Sequence, residues 1–193
     1  MVKKIFISAM TAMLLLTTGC NKNVPPEITP SDNPKQAEAG IPKIEIDDNP
    51  TPQVTKTENG VTTMQVTVYY PDQAGMSLIP VKREIKFKDA NQKYIEAVKC
   101  LLDSPTEEEL TKIFPKDAKI KSIKLDGNTA VIDLDSGITK NFVGGSTGEE
   151  FLINSVVDTL TEFDEVKQVR FLIDGKEVET LAGHMDLSEP IKR

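Results

Sequence analysis

The chain has one histidine and two cysteines among 193 residues. A histidine acting as general base needs a nucleophile or an orienting carboxylate within hydrogen-bond reach. His184 has only Asp186 nearby in sequence, in what reads as a terminal segment. A surface or tail-packing histidine therefore fits better than a catalytic one. Cys100 lies beside Leu101 on a helix and reads as an inert, partly buried thiol. Lys99 is adjacent to it, but adjacent helical residues do not face each other, so nothing activates the sulfur. With so few Cys and His, a site built from several such ligands is excluded.

The acidic clusters are equally quiet. Glu107-Glu108-Glu109 suit a helix N-terminus, where each negative charge gains ~0.3–1 kcal/mol. Asp133 and Asp135 alternate on the outward face of a strand. Neither set has the odd-position spacing and central glycine of a calcium loop, so no metal is expected. Gly144-Gly145-Ser146-Thr147-Gly148 precedes a helix but lacks the Gly-Lys-Ser/Thr ending of a phosphate loop. Glu149 and Glu150 would repel an anion there, so a mobile loop is the expectation. Ser146 sits in no Gly-x-Ser-x-Gly elbow. The residues thus assemble no catalytic, cofactor or metal site, and the chain reads as a protein that is not an enzyme.

Composition narrows the classes further. Lys+Arg number 23 against 30 Asp+Glu, for a formal net charge of -7. Nucleic-acid binding needs clustered positive charge, which is absent. Hydrophobic residues make up 38% of the chain, too many for full disorder and too few for a polytopic membrane protein.

The N-terminus reads as an address. Lys3 and Lys4 precede an apolar run, Ile5 to Leu16, interrupted only by Ser8 and Thr11. As helix it covers roughly 18 Å, short of the ~30 Å hydrocarbon core, so it is a signal-peptide h-region. Leu16-Thr17-Thr18-Gly19-Cys20 resembles a lipobox, in which the cysteine becomes the lipidated N-terminus. Residues 1–19 are then the lipoprotein signal peptide and Cys20 the anchor. Seven of twelve prolines fall within residues 21–60, a stretch with no aromatic residue. Too little apolar surface is available there to offset ordering entropy, so residues 20–61 read as a flexible tether.

The folded part follows as residues 62–193. Met64–Tyr70 alternates apolar and polar and stops at Pro71-Asp72, a strand into a turn. Val81–Phe87 alternates as an exposed or edge strand. Tyr94, Ile95, Val98, Leu101 and Leu102 recur at helical spacing up to Asp103-Ser104-Pro105. Thr106 and Glu109 fit a capping box, predicting a short helical turn through Ile113. Lys121–Leu125 and Thr129–Asp135 flank a hairpin turn at Asp126-Gly127-Asn128. Phe151, Leu152, Ser155, Val156, Thr159, Leu160 and Phe163 form the apolar stripe of a second helix. Lys167–Ile173 is a strand, and Asp174-Gly175 turns into a last one at Val178–Leu181. The order β-β-α-β-β-α-β(-β) predicts an α+β domain, a mixed sheet with two helices packed on one face.

Several of these segments carry a family resemblance. Leu101–Thr106, Asn154–Phe163, Val169–Lys176 and the tail Gly183-His184-Met185-Asp186-Leu187-Ser188 with Pro190 resemble the GerMN domain family of spore formation and germination. The resemblance covers roughly residues 62–193. Ser104 stands where the family usually has glycine before the proline. The resemblance implies a non-catalytic part in sporulation, germination or envelope assembly, with the lipid anchor on the outer face of the bacterial cytoplasmic membrane. It also implies packing against an envelope or sporulation protein, or self-association. The alternative is a small-molecule or peptidoglycan-binding lipoprotein, which should show a concave pocket with convergent polar groups.

Strand alternation places a candidate interaction surface. If Ala130, Ile132, Leu134, Val169, Phe171 and Ile173 face the helices, then Tyr69, Val131 and Leu172 fall on the open face. They lie there among Thr67, Asp133, Gln168 and Arg170, a few apolar residues in a polar surround. Edge pairing by Val81–Phe87 is the rival mode of contact.

Overall fold

The computed structural model describes residues 51–193. The expected signal segment, Cys20 and most of the expected tether lie outside the described residues. The described chain has an α+β fold built from seven strands and three helices. β1 (Gln53–Glu58), β2 (Val61–Pro71) and β3 (Leu78–Phe87) form one antiparallel sheet, β2 in the middle. β4 (Ile120–Asp126), β5 (Thr129–Leu134), β6 (Gln168–Ile173) and β7 (Lys176–Glu177) form a second sheet in that order. β5 and β6 run parallel, and the other pairs are antiparallel. The strands thus divide between two sheets instead of joining in one.

The reason lies in α3 (Gly145–Thr161), which packs against both β2 and β6. Leu152, Val156 and Leu160 recur at helical spacing, but Ile153 and Val157 are buried as well. A helix apolar on more than one side can serve two sheets. α1 (Gln92–Lys99) buries Tyr94, Ala97 and Val98 and packs against β3, β4 and α3. It tightens into a 3₁₀ turn over Cys100–Leu102 and stops before Pro105. α2 (Gly137–Lys140) is a single turn after β5 that sequence periodicity is too short to reveal.

Ordered structure begins before residue 61. β1 pairs with β2 through Asn59 and Gly60, both at positive φ (49° and 72°), the requirement of a tight hairpin turn. All six β1 residues are exposed, so the strand is held by backbone pairing and offers no apolar signal. β1 covers only Val61–Gln65 of β2. Beyond it, the free edge of β2 is closed by other groups. Tyr69 N donates to Thr159 Oγ1 of α3 at 3.3 Å, and Thr111 N donates to the Pro71 carbonyl at 2.8 Å.

That second closure explains why no helix forms at Thr106–Ile113. Gln73 N donates to the Glu109 carbonyl, and Leu110 bridges Asp72 antiparallel. Leu110 is buried in the core. Edge-strand pairing has taken the backbone that a helix would need. Thr106 Oγ1 meets Glu107, not a capping partner at Glu109.

The Gly-rich segment also differs from expectation. α3 starts at Gly145, so Ser146, Thr147 and Gly148 are helical. A Cβ at Gly144 would come within 3.0 Å of the Phe142 ring, and one at Gly148 within 3.3 Å. Those glycines make room for Phe142 to fold over the helix start. β7 is shorter and earlier than the expected strand at Val178–Leu181. Asp174 and Gly175, at φ 52° and 75°, close a two-residue turn, so pairing is finished by Glu177.

Candidate functional site

α3 and its C-cap carry two buried carboxylates, Glu149 and Glu162. Glu149, just past the first turn of α3, is 0% exposed. Its Oε1 accepts the backbone N–H of Leu181 and Ala182, each at 2.9 Å. Its Oε2 accepts the backbone N–H of His184 at 2.9 Å and meets the His184 ring Nδ1 at 3.0 Å. Burial pushes this carboxyl upward, but the N–H groups and the imidazole outweigh it and hold it below the usual carboxylate range. His184 therefore packs the C-terminal segment onto the helix through a carboxylate. Sequence suggested Glu149 only as an acid at a helix start, and its helical register with Leu152, Val156 and Leu160 was the available signal of burial.

Glu162 and Asp158 lie at the other end of α3, one turn apart. Glu162 is 6% exposed. Tyr69 Oη donates to it at 2.6 Å, and Arg193 Nη1 donates to the same oxygen. Arg193 Nε stands 3.5 Å from Asp158 Oδ1. The guanidinium carbon sits 4.9 Å from the Tyr69 ring centroid. Burial, then the bond to Glu162, pushes the Tyr69 phenol up to about 12. Burial also raises the Asp158 carboxyl, against the opposing pull of Arg193. These groups adjoin a cleft of about 590 Å³ on the outer side of α3. Phe151, Asn154 and Asp158 of α3 line it, together with Met76, Leu78, Lys192 and Arg193.

Tyr69 is thus not on the open face expected for it. It belongs to the three-stranded sheet and is 6% exposed. Alternation along β2 put it opposite Val68 and Tyr70, but α3 and Arg193 cover that second side. Val131 and Leu172 are brought together as expected. They lie on adjacent strands, with Val131 beside Arg170 and Asp133 beside Leu172. Both are half-buried while Ala130, Ile132, Val169 and Phe171 between them are buried.

The remaining sequence candidates serve structure. Asp133 Oδ1 accepts the Gly175 N–H at 2.8 Å, and Asp135 Oδ1 accepts the Lys119 N–H at 2.9 Å. Glu107 makes a two-pronged pair with Arg83 at 2.9 and 2.6 Å, whose bonds hold its carboxyl down at about 2. Cys100 is half-buried, and burial raises its thiol. Among the described residues no group of three His, Cys, Asp or Glu is placed to hold a metal, and no helix is long and apolar enough to cross a membrane.

Solved structures share this architecture. The first GerMN domain of the sporulation protein GerM from Bacillus subtilis aligns over 67% of this chain and 97% of its own, with 17% identity and a TM-score of 0.54. The tandem GerMN domains of the same protein align over 72% of this chain and 48% of theirs, with 24% identity and a TM-score of 0.53. At these identities the likeness is one of fold. No curated protein matches the chain. The model of the Germane family, described as sporulation and spore germination, matches residues 67–179. That span runs from β2 through β7, more than half of the chain, and the chain therefore belongs to the Germane family of sporulation and spore germination.

Proposed function

We propose that this chain is a lipid-anchored, non-catalytic envelope protein whose GerMN-like domain is a protein-interaction and assembly module in sporulation or germination. The family match across β2 to β7 carries the reading. The N-terminal series Lys3-Lys4, Ile5–Leu16 and Gly19-Cys20 supports anchoring through Cys20 on the outer face of the cytoplasmic membrane. The half-buried pair Val131 and Leu172 on the outer face of β5 and β6 supports a contact surface.

Tagged protein crosslinked in growing and in sporulating cells tests the reading. A defined envelope protein should be recovered in a wild-type-dependent way, and Cys20→Ala should shed the domain from membranes or retain the signal segment. A Cys20→Ala protein processed and membrane-bound like the wild type would remove the anchor.

A further inference from the structure

We propose that the cleft on the outer side of α3 is the seat for an arginine-bearing segment of a protein partner, and that Arg193 is its internal stand-in. The inference rests on the interaction-module reading and gives that module a second contact.

The chemistry of the occupant is displayed by Arg193 itself. Glu162 and Tyr69 present acceptors on two rigid elements, α3 and β2, and Asp158 adds a carboxylate one turn away. A planar, forked guanidinium satisfies all three and stacks on the Tyr69 ring. An ammonium is a point charge without that fork. Glu162 is buried, so a cation must stand beside it. Nothing in the site requires that cation to come from this chain.

The segment bearing Arg193 joins the second sheet through the bridge between Ile191 and Val169 and through Arg170, which donates to the Ser188 carbonyl at 3.3 Å, while Lys192 and Arg193 lie beyond these contacts. Beside Arg193 the cleft is also lined by Asn154, Phe151 and Met76, which is 78% exposed. That volume accommodates residues flanking an incoming arginine. Glu150, on the rim, carries no ion pair among the described residues and adds negative charge for a basic segment.

Binding of a fluorescent, C-terminally amidated peptide copying residues 188–193 tests this on the full chain in detergent. Arg193→Ala should bind it at least tenfold more tightly than the wild type. A peptide with citrulline in place of its arginine should lose that gain, as should adding Asp158→Asn. Equal affinity for the arginine and citrulline peptides, or no binding to a folded Arg193→Ala protein, overturns the proposal. Should Arg193→Ala unfold, Arg193→Lys takes its place, and no gain over the wild type in that protein overturns the proposal equally. Loss of the peptide site with partner recruitment intact removes the cleft alone and leaves the sheet-face reading standing.

Discussion

Arg193 Nη2 donates to Tyr69 Oη at 2.6 Å across 124 residues of chain. The bond ties the C-terminal segment to the middle strand of the first sheet, with Glu162 of α3 accepting from both side chains. Removing one member leaves a buried acceptor short of a donor. Tyr69→Phe should therefore cost ~1–2 kcal/mol in urea unfolding, where a surface change would stay within ~0.5 kcal/mol. Paired with Arg193→Ala in a double-mutant cycle, it should show a coupling of at least ~0.5 kcal/mol. Additive losses would mean that the two side chains do not act together.

Glu149 offers a sharper case. Four donors converge on its carboxylate. In Glu149→Gln an amide NH₂ must face donors it cannot accept from, at a cost of ~1–3 kcal/mol. His184→Ala removes only one of the four and should cost no more than ~1 kcal/mol, with function retained. Thermal melts of both variants check the ranking. A functional loss in folded, equally abundant His184→Ala would count against the non-enzymatic reading.

The Arg83–Glu107 pair predicts an acid response. Glu107 is lowered from 4.5 to about 2 in the fold. A depressed carboxyl contributes its stability above its unfolded value and loses it as pH falls through the folded one. The wild type should weaken between pH 4.5 and about 2. With both side chains partly exposed, solvent screening reduces the effect to ~1 kcal/mol. Glu107→Gln should be less stable at neutral pH by that amount and should lose the difference by about pH 2. Parallel acid-unfolding curves for the two proteins would refute the assignment.

Leu172→Glu probes the open sheet face. Leu172 is half-buried on the side opposite the core, so the fold should change by no more than ~0.5 kcal/mol. Recruitment of an envelope partner should fall, because a charge would be buried unpaired at the contact. Recruitment at wild-type level by the folded variant would rule out this face as the interface.

Much of this architecture was written in local pattern. Alternation along β5 and β6 placed Ala130, Ile132, Leu134, Val169, Phe171 and Ile173 inward, and the structure buries all six. Period-two and period-3.6 patterns say which residues share a side, since side chains alternate on a strand and recur each turn on a helix. Asp126-Gly127 and Asp174-Gly175 announced turns because few residues adopt positive φ. Composition and charge likewise gave an acidic chain of net charge -7.

Tertiary structure alone decided what covers the second side of each element. Tyr69 reads as outward on β2 until α3 and Arg193 close over it, and Glu149 reads only as an acid at a helix start until residues 181–184 fold onto it. The division into two sheets, the exposed β1 and the loss of a helix at Thr106–Ile113 share one cause. Each depends on backbone hydrogen bonds to a strand edge, and peptide groups are alike in every residue, so no side-chain pattern encodes the partner.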